Sequence, residues 1–191
     1  MTVFYTHFVC KERAMKNLVI LGAGTSGTMM SNHLQRVLDD KEWNITIIDQ
    51  KETHYYQPGF LFLPFDIYKP KQLKKTIDKF IPKGVDLIRA QVERIDENEE
   101  SVIFQDGVKM PYDILIIATG TDIAPDEIEG MLGPEWYNSI FDFYTFEGAK
   151  NLRDKLKTWE GGKMVVHITE MPIKCPVAPL EFAFLADSFF K

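Results

Sequence analysis

Two short segments of this chain hold residues whose types and spacing can do chemistry. In Lys174-Cys175-Pro176-Val177-Ala178-Pro179-Leu180-Glu181 a thiol stands between a lysine and a proline-opened helical pattern. A cation and a helix N-terminus both favour the thiolate, so Cys175 reads as a nucleophile; its plain alternative is a structural cysteine buried at a helix start. The second segment, Gly22-Ala23-Gly24-Thr25-Ser26-Gly27, has the spacing of a dinucleotide-binding loop, and Asp49, followed by Gln50, ends the next apolar run. Gly22 permits the tight turn, Gly24 lets a pyrophosphate approach the backbone, and Gly27 allows close helix packing. Thr25 and Ser26 open the helix whose amides and dipole receive an anion, and Asp49 would accept from a ribose.

The elements around these segments must position them. Residues 17–21 form a short apolar strand that runs into the glycine loop, and residues 28–38 carry Met30, Leu34, Val37 and Leu38 at helical spacing. Residues 44–49 supply the next strand, which completes a parallel, right-handed βαβ unit. An aromatic loop follows, then a predicted helix over 70–81 and a strand over 85–95. Residues 102–104 and 109–110 read as a hairpin about an Asp106-Gly107 turn. The run DILIIATGT, residues 113–121, reads as a strand buried on both faces and ends in Ala118-Thr119-Gly120. Residues 122–134 are polar and proline-containing and mark the candidate boundary. Beyond them the pattern predicts a helix over 146–159, a strand over 163–169 and a helix over 176–190. That last helix is apolar around most of its circumference, which calls for burial in a domain centre. It leads to the expectation of a fragment or truncated product.

Composition restricts the alternatives. With 45% hydrophobic and 26% charged residues the chain falls in the globular range, and no run approaches the roughly 20 apolar residues of a membrane span. The net charge of −6 argues against general nucleic-acid binding. Two cysteines, Cys10 and Cys175, are too few for a disulfide framework and fit no zinc spacing, so no metal is expected. The first residues lack the pattern of a secretory signal. His54, in the aromatic loop, reads as a loop histidine with no catalytic partner.

The helix and small β-meander set between the glycine loop and the Ala118-Thr119-Gly120 strand end resemble the FAD domain of the two-dinucleotide-binding-domain flavoproteins, the superfamily of disulfide reductases and quinone-linked oxidoreductases. The resemblance implies FAD, with the backbone of Val92 at the adenine, Pro58 and Gly59 beside the flavin, and Ala118, Thr119 and Gly120 near the cofactor. Taken alone, residues 54–65 are an aromatic loop of the kind that covers a core. The disulfide-reductase branch carries a CxxxxC pair in the first helix, absent here, and the NADH-linked branch carries a second glycine loop where this chain has the Cys175 segment. Residues 172–181 are similar to the cysteine motif of the sulfide:quinone oxidoreductases and of the flavoprotein subunit of flavocytochrome c sulfide dehydrogenase.

The resemblance implies an α/β chain comprising an N-terminal extension over 1–15, a Rossmann-like FAD domain with parallel sheet and β-meander over 16–125, and the start of a second α/β domain over 126–191. It implies that Cys175 takes up sulfide sulfur with a distal partner cysteine, electrons then passing through FAD to quinone. Sulfide and quinone are the implied small-molecule partners, with peripheral membrane contact through C-terminal parts and a homo-oligomer left open. The middle cysteine of the family is missing from residues 122–143, and Cys10 lies outside the matched region. Two other readings stay open: an NADH:quinone oxidoreductase or ferredoxin-reductase-like flavoprotein, and a catalytically silent nucleotide-binding or interaction module.

Overall fold

The computed structural model describes residues 15–191, so Cys10 and most of the N-terminal extension lie outside the described residues. The described chain divides into two compact units, one of residues 15–52 and 76–120, the other of residues 53–75 and 121–191.

The first unit is built on strand β1 (Lys16–Leu21), helix α1 (Thr25–Val37) and strand β2 (Trp43–Ile48). β1 and β2 pair in parallel, Leu21 beside Ile48, as a βαβ crossover requires. The side chains of β1 alternate between two cores. Leu18 and Ile20 join Ile45 and Ile47 under Met30 and Leu34 of α1, whereas Val19 and Leu21 join Ile48 on the opposite face. That two-sided burial is why residues 18–21 of β1 read as an unbroken apolar run; in β2 the run is interrupted by Thr46, itself buried.

Short elements follow in the chain: β3 (Thr53–Tyr55) pairs with β4 (Lys74–Thr76), and β5 (Val85–Ile88) joins the parallel sheet beside β2. Strands β6 (Val92–Asp96), β7 (Ser101–Phe104) and β8 (Lys109–Pro111) form an antiparallel meander. Val102 and Phe104 of β7 cover the core face opposite α1. The Asp106-Gly107 turn closes as read, with Gly107 at φ +84° and Phe104 N donating to Val108 O at 2.9 Å. β9 (Ile114–Ile117) returns beside β1 and completes the order β5-β2-β1-β9.

Several expectations are corrected. Residues 70–81 are not one helix: two 3-10 turns, Pro70–Leu73 and Ile77–Phe80, flank the extended β4. Leu73 and Ile77 are buried as the helical spacing demands, but cross-strand bonds, Tyr56 N to Leu73 O and Ile77 N to Glu52 O, replace helical ones. Residues 85–95 are not one strand, because the chain leaves the parallel sheet after Ile88 and enters the meander at Val92. β9 is an outer strand rather than one buried along both faces: Ile114 and Ile117 are 43% and 64% exposed. Residues 163–169 form no strand. An extended segment needs a neighbour to take its backbone bonds, and no described strand pairs with it.

The second unit gathers the aromatic loop around α2 (Phe146–Leu156) and α3 (Ala178–Phe190). Phe60, Leu63 and Leu73 pack on Phe146 and Ala149; Phe65, Leu152 and Leu156 pack on Phe182 and Ala186. The rings of Phe143 and Phe182 stack at 4.7 Å. α2 is capped by Thr145, whose hydroxyl accepts from Gly148 N at 2.9 Å, and Asp142 accepts in turn from the backbone amides of Tyr144 and Thr145. On α3, Phe182 and Ala186 are buried, but Phe184 is 75% exposed.

Asp66, at φ +60°, receives hydrogen bonds from Lys69 and Arg153. They hold its carboxyl at about 2, against an ordinary 3.8, with Lys69 contributing most. A depressed carboxyl contributes stability above its unfolded value and loses it as pH falls through its folded value. Asp66→Asn keeps a residue that tolerates the left-handed backbone. The thermal-melt gap between wild type and this variant is therefore expected to be full above about pH 4 and to close toward about pH 2. A gap that persists unchanged at pH 2 removes the ion pairs as its cause.

Candidate functional site

In the first unit the carboxyl ends of β1, β2 and β9 converge, the location at which open parallel sheets receive ligands. Three backbone bonds carry the ladder past the strand ends: Gly22 N to Ile48 O at 2.7 Å, Asp49 N to Ile88 O at 3.1 Å and Ala118 N to Leu21 O at 2.8 Å. They bring Gly22, Asp49 and Ala118 together. Gly22 sits at φ +96°, and a Cβ there would stand 2.4 Å from Ala118 O and 3.0 Å from the Thr119 backbone. A Cβ on Gly27 would stand 1.8 Å from Gly22 O. Both positions therefore admit only glycine. Gly24 is different, since a Cβ there would meet nothing within 4 Å.

That open space lies at the N-terminus of α1. Gly24 is the N-cap and offers no side-chain cap, and the first turn has no acidic residue. The first bond into the helix is Thr28 N to Gly24 O at 3.0 Å, which leaves the preceding amides of Thr25, Ser26 and Gly27 without helical acceptors. Gly24, Thr25 and Ser26 are exposed. The arrangement suits a phosphate group: free donors, positive dipole end, no side chain in the way.

Asp49 does more than the sequence indicated. Its Oδ2 accepts from Ala23 N at 2.7 Å and its Oδ1 from Lys51 N at 2.8 Å. The carboxylate thus anchors the glycine loop, and its remaining lone pairs are available to a ribose. Gln50 beside it is exposed. Val92 packs into the core face shared by Leu21 and Ile48, so the start of the meander belongs to this end of the sheet. Gly120 ends the strand region at φ +76°.

The remaining candidates lie in the second unit. Pro58 and Gly59 occupy the 3-10 turn Gln57–Phe60. Pro58 is exposed, but Gly59 is buried, and a Cβ there would stand 2.3 Å from Leu73 Cδ2. Its small size answers a packing demand within this unit. Cys175 is a free, exposed thiol. Its backbone is held tightly: Cys175 O accepts from Ala178 N at 3.0 Å and from the Tyr144 hydroxyl at 3.3 Å, and its φ is +54°. Burial, and to a smaller extent the neighbouring Cys175, pushes the Tyr144 phenol up.

One expectation about this segment is corrected. The helix begins at Ala178 with Val177 as N-cap, so Pro179 rather than Pro176 occupies the first turn. Cys175 stands before the cap, ahead of the helix as its sequence position indicates. The Lys174 ammonium donates to Gln57 Oε1. Neither Gln57 nor Tyr144 was visible as a site residue in the sequence, because each acts through a fold-dependent bond from a distant position.

A family model for the pyridine nucleotide-disulphide oxidoreductases matches residues 16–167. The chain belongs to that family. The match takes in the glycine loop, Asp49, the meander and the Ala118-Thr119-Gly120 strand end. The mitochondrial sulfide:quinone oxidoreductase of Dictyostelium discoideum is 26% identical over 185 residues, covering 95% of this chain and 41% of the relative. Among solved structures, the sulfide:quinone oxidoreductase of Aquifex aeolicus is similar at TM-score 0.60 and 25% identity over 74% of this chain and 32% of its own. A chain of the Tetrahymena thermophila mitochondrial ATP synthase is similar in fold at TM-score 0.63 and 16% identity, over 92% of this chain and 45% of that one. The chain spans about two-fifths of the length of the curated relative it matches. Among the described residues no helix is long and apolar enough to cross a membrane.

The glycine geometry separates roles that the motif alone merges. Gly22→Ala and Gly27→Ala force backbone clashes and are each expected to cost several kcal/mol of stability, on the order of 3. Gly24→Ala is expected to cost about 1 kcal/mol or less, the loss of a glycine N-cap. Chemical denaturation of the three variants checks this; equal losses at all three positions contradict the geometry.

Proposed function

We propose that this chain supplies the FAD-binding region and the nucleophilic cysteine of a sulfide:quinone oxidoreductase. The observation that carries the reading is Cys175, a free and exposed thiol on a backbone fixed by Tyr144 and Ala178. It stands where an NADH-linked relative carries its second glycine loop. The similarity to the Dictyostelium enzyme covers 95% of the chain, too much to leave this segment out.

In this reading the free amides of Thr25 and Ser26 and the positive end of α1 hold the pyrophosphate. Gly24 keeps the approach clear. Asp49 accepts from the adenosine ribose while its bond to Ala23 N holds the loop in place. Val92 lies at the adenine, Ala118, Thr119 and Gly120 border the cofactor, and Pro58 and Gly59 lie beside the flavin. FAD, when bound, supplies a two-electron acceptor for sulfur and a two-electron donor for quinone. Cys175 and a distal cysteine from the remainder of the enzyme would take up the sulfide sulfur, the two electrons lost in forming the sulfur–sulfur bond passing to FAD when it is bound. Sulfide and quinone are the partners this reading implies, with peripheral membrane contact through C-terminal parts. The domain division it implies is a FAD domain over 16–125 followed by the start of a second α/β domain.

A second reading, a nucleotide-binding or interaction module without turnover, draws on one observation. The ATP synthase chain matches the fold over 92% of this chain, against 74% for the Aquifex enzyme. That likeness concerns architecture, and the two readings differ in what the purified protein holds.

In the full-length protein Cys175→Ser is expected to abolish sulfide-dependent bleaching of the flavin band at about 450 nm while leaving FAD bound. Unchanged bleaching removes the role of Cys175, and a purified protein without flavin favours the silent module. Asp49→Ala is expected to weaken FAD by about 1.5 to 3 kcal/mol, the worth of a charge-assisted hydrogen bond. Asp49→Asn, which keeps an acceptor for Ala23 N, is expected to lose less. Equal FAD affinity in wild type and Asp49→Ala, by fluorescence titration, counts against the ribose contact.

A further inference from the structure

A cleft of about 500 Å3 opens along α1, starting at Thr28 just after the glycine loop. It is lined by Thr28, Met29, Asn32 and Arg36 of the helix and by residues 79–82 of the facing segment. Its walls are fixed to each other, since Asn32 Nδ2 donates to Phe80 O and to Thr28 O, both at 2.8 Å. The Thr28 hydroxyl is already spent on Gly24 O and Thr25 O.

The cleft carries two cations, Arg36 and Lys79, and no carboxylate, in a chain of net charge −6. Asp78, the acid adjacent to Lys79, is engaged by Arg89 at 2.6 Å. Among the described residues neither Arg36 nor Lys79 has an ion-pair partner. The dipole of α1 accounts for a cation in its last turn. It does not account for a second cation brought to the same cleft from the facing segment. Beside the charges lies apolar surface: Met29 is 67% exposed, and Ile81 and Pro82 continue the wall. The volume is that of a small-ligand site, roughly 300 to 1,000 Å3.

We propose that this cleft binds a small phosphate ester, its anionic group between Arg36 and Lys79 and its apolar body on Met29, Ile81 and Pro82. The acidic chain as a whole repels an anionic surface, so a soluble ester is favoured over a lipid headgroup. The site is independent of the FAD reading, because none of its charged groups belongs to the glycine loop.

The test is a titration of the full chain with phenyl phosphate, read by backbone amide shifts. Saturable shifts are expected at residues 28–36 and 79–82, with inorganic phosphate binding more weakly for want of the apolar part. Arg36→Gln with Lys79→Gln is expected to weaken phenyl phosphate by roughly tenfold or more, the loss of charge-assisted contacts. Arg36→Lys is expected to retain most of the binding. Shifts confined to residues 22–27, or an unchanged affinity in the double variant, overturn the proposal. Co-sedimentation with phosphatidylglycerol vesicles that depends on both cations, without saturable phenyl phosphate binding, overturns it in favour of a membrane surface.

Discussion

No side chain can stand at position 27, because its first carbon would lie 1.8 Å from Gly22 O. That contact presses α1 directly against the turn that leaves β1, and it fixes where the helix begins. Everything useful at the ligand end of the sheet depends on it: the free amides of Thr25 and Ser26, the open face of Gly24 and the distance from the loop to Asp49. Asp49 closes the arrangement from the neighbouring strand by accepting from Ala23 N at 2.7 Å. Sterics bring the helix close, and one carboxylate keeps the loop from drifting away from it.

The parallel core was legible because its physical cause is local and repetitive. β1 and β2 bury side chains on both faces, so they appear as apolar runs, and the glycine loop between them has a spacing that few other demands impose. The Asp106-Gly107 turn was legible for the same reason, since φ +84° there needs glycine. Residues 70–81 were misread because periodicity records which side chains are buried, not what the backbone bonds to. Leu73 and Ile77 are buried under either conformation, and the pairing of β4 with β3 cannot be seen in a window of twelve residues. Residues 163–169 fail in the opposite direction, having strand composition but no described partner.

The site was legible unevenly. Gly22, Gly24, Gly27 and Asp49 could be singled out because a tight strand-to-helix turn leaves glycines at fixed offsets and an acid ends the next strand. The second duty of Asp49, holding Ala23 N, left no separate mark. At Gly59 the Leu73 side chain sets a packing demand for glycine that left no separate mark in the sequence. The environment of Cys175 was the least legible part. Tyr144 and Gln57 reach it or its neighbour across long stretches of sequence, and the helix starts later than Pro176 suggested.

The second unit is assembled from two stretches, residues 53–75 and 121–191, with the whole of 76–120 between them. Its core joins Phe60, Leu63 and Leu73 to Phe146 and Ala149, so each of those contacts closes a long loop. The pairing of β1 with β2 closes a far shorter one. Loop-closure entropy therefore sets an order of assembly during synthesis. The sheet around the glycine loop can begin to form while the ribosome is still making the meander, whereas Phe60 and Leu63 must wait, uncovered, until α2 has emerged.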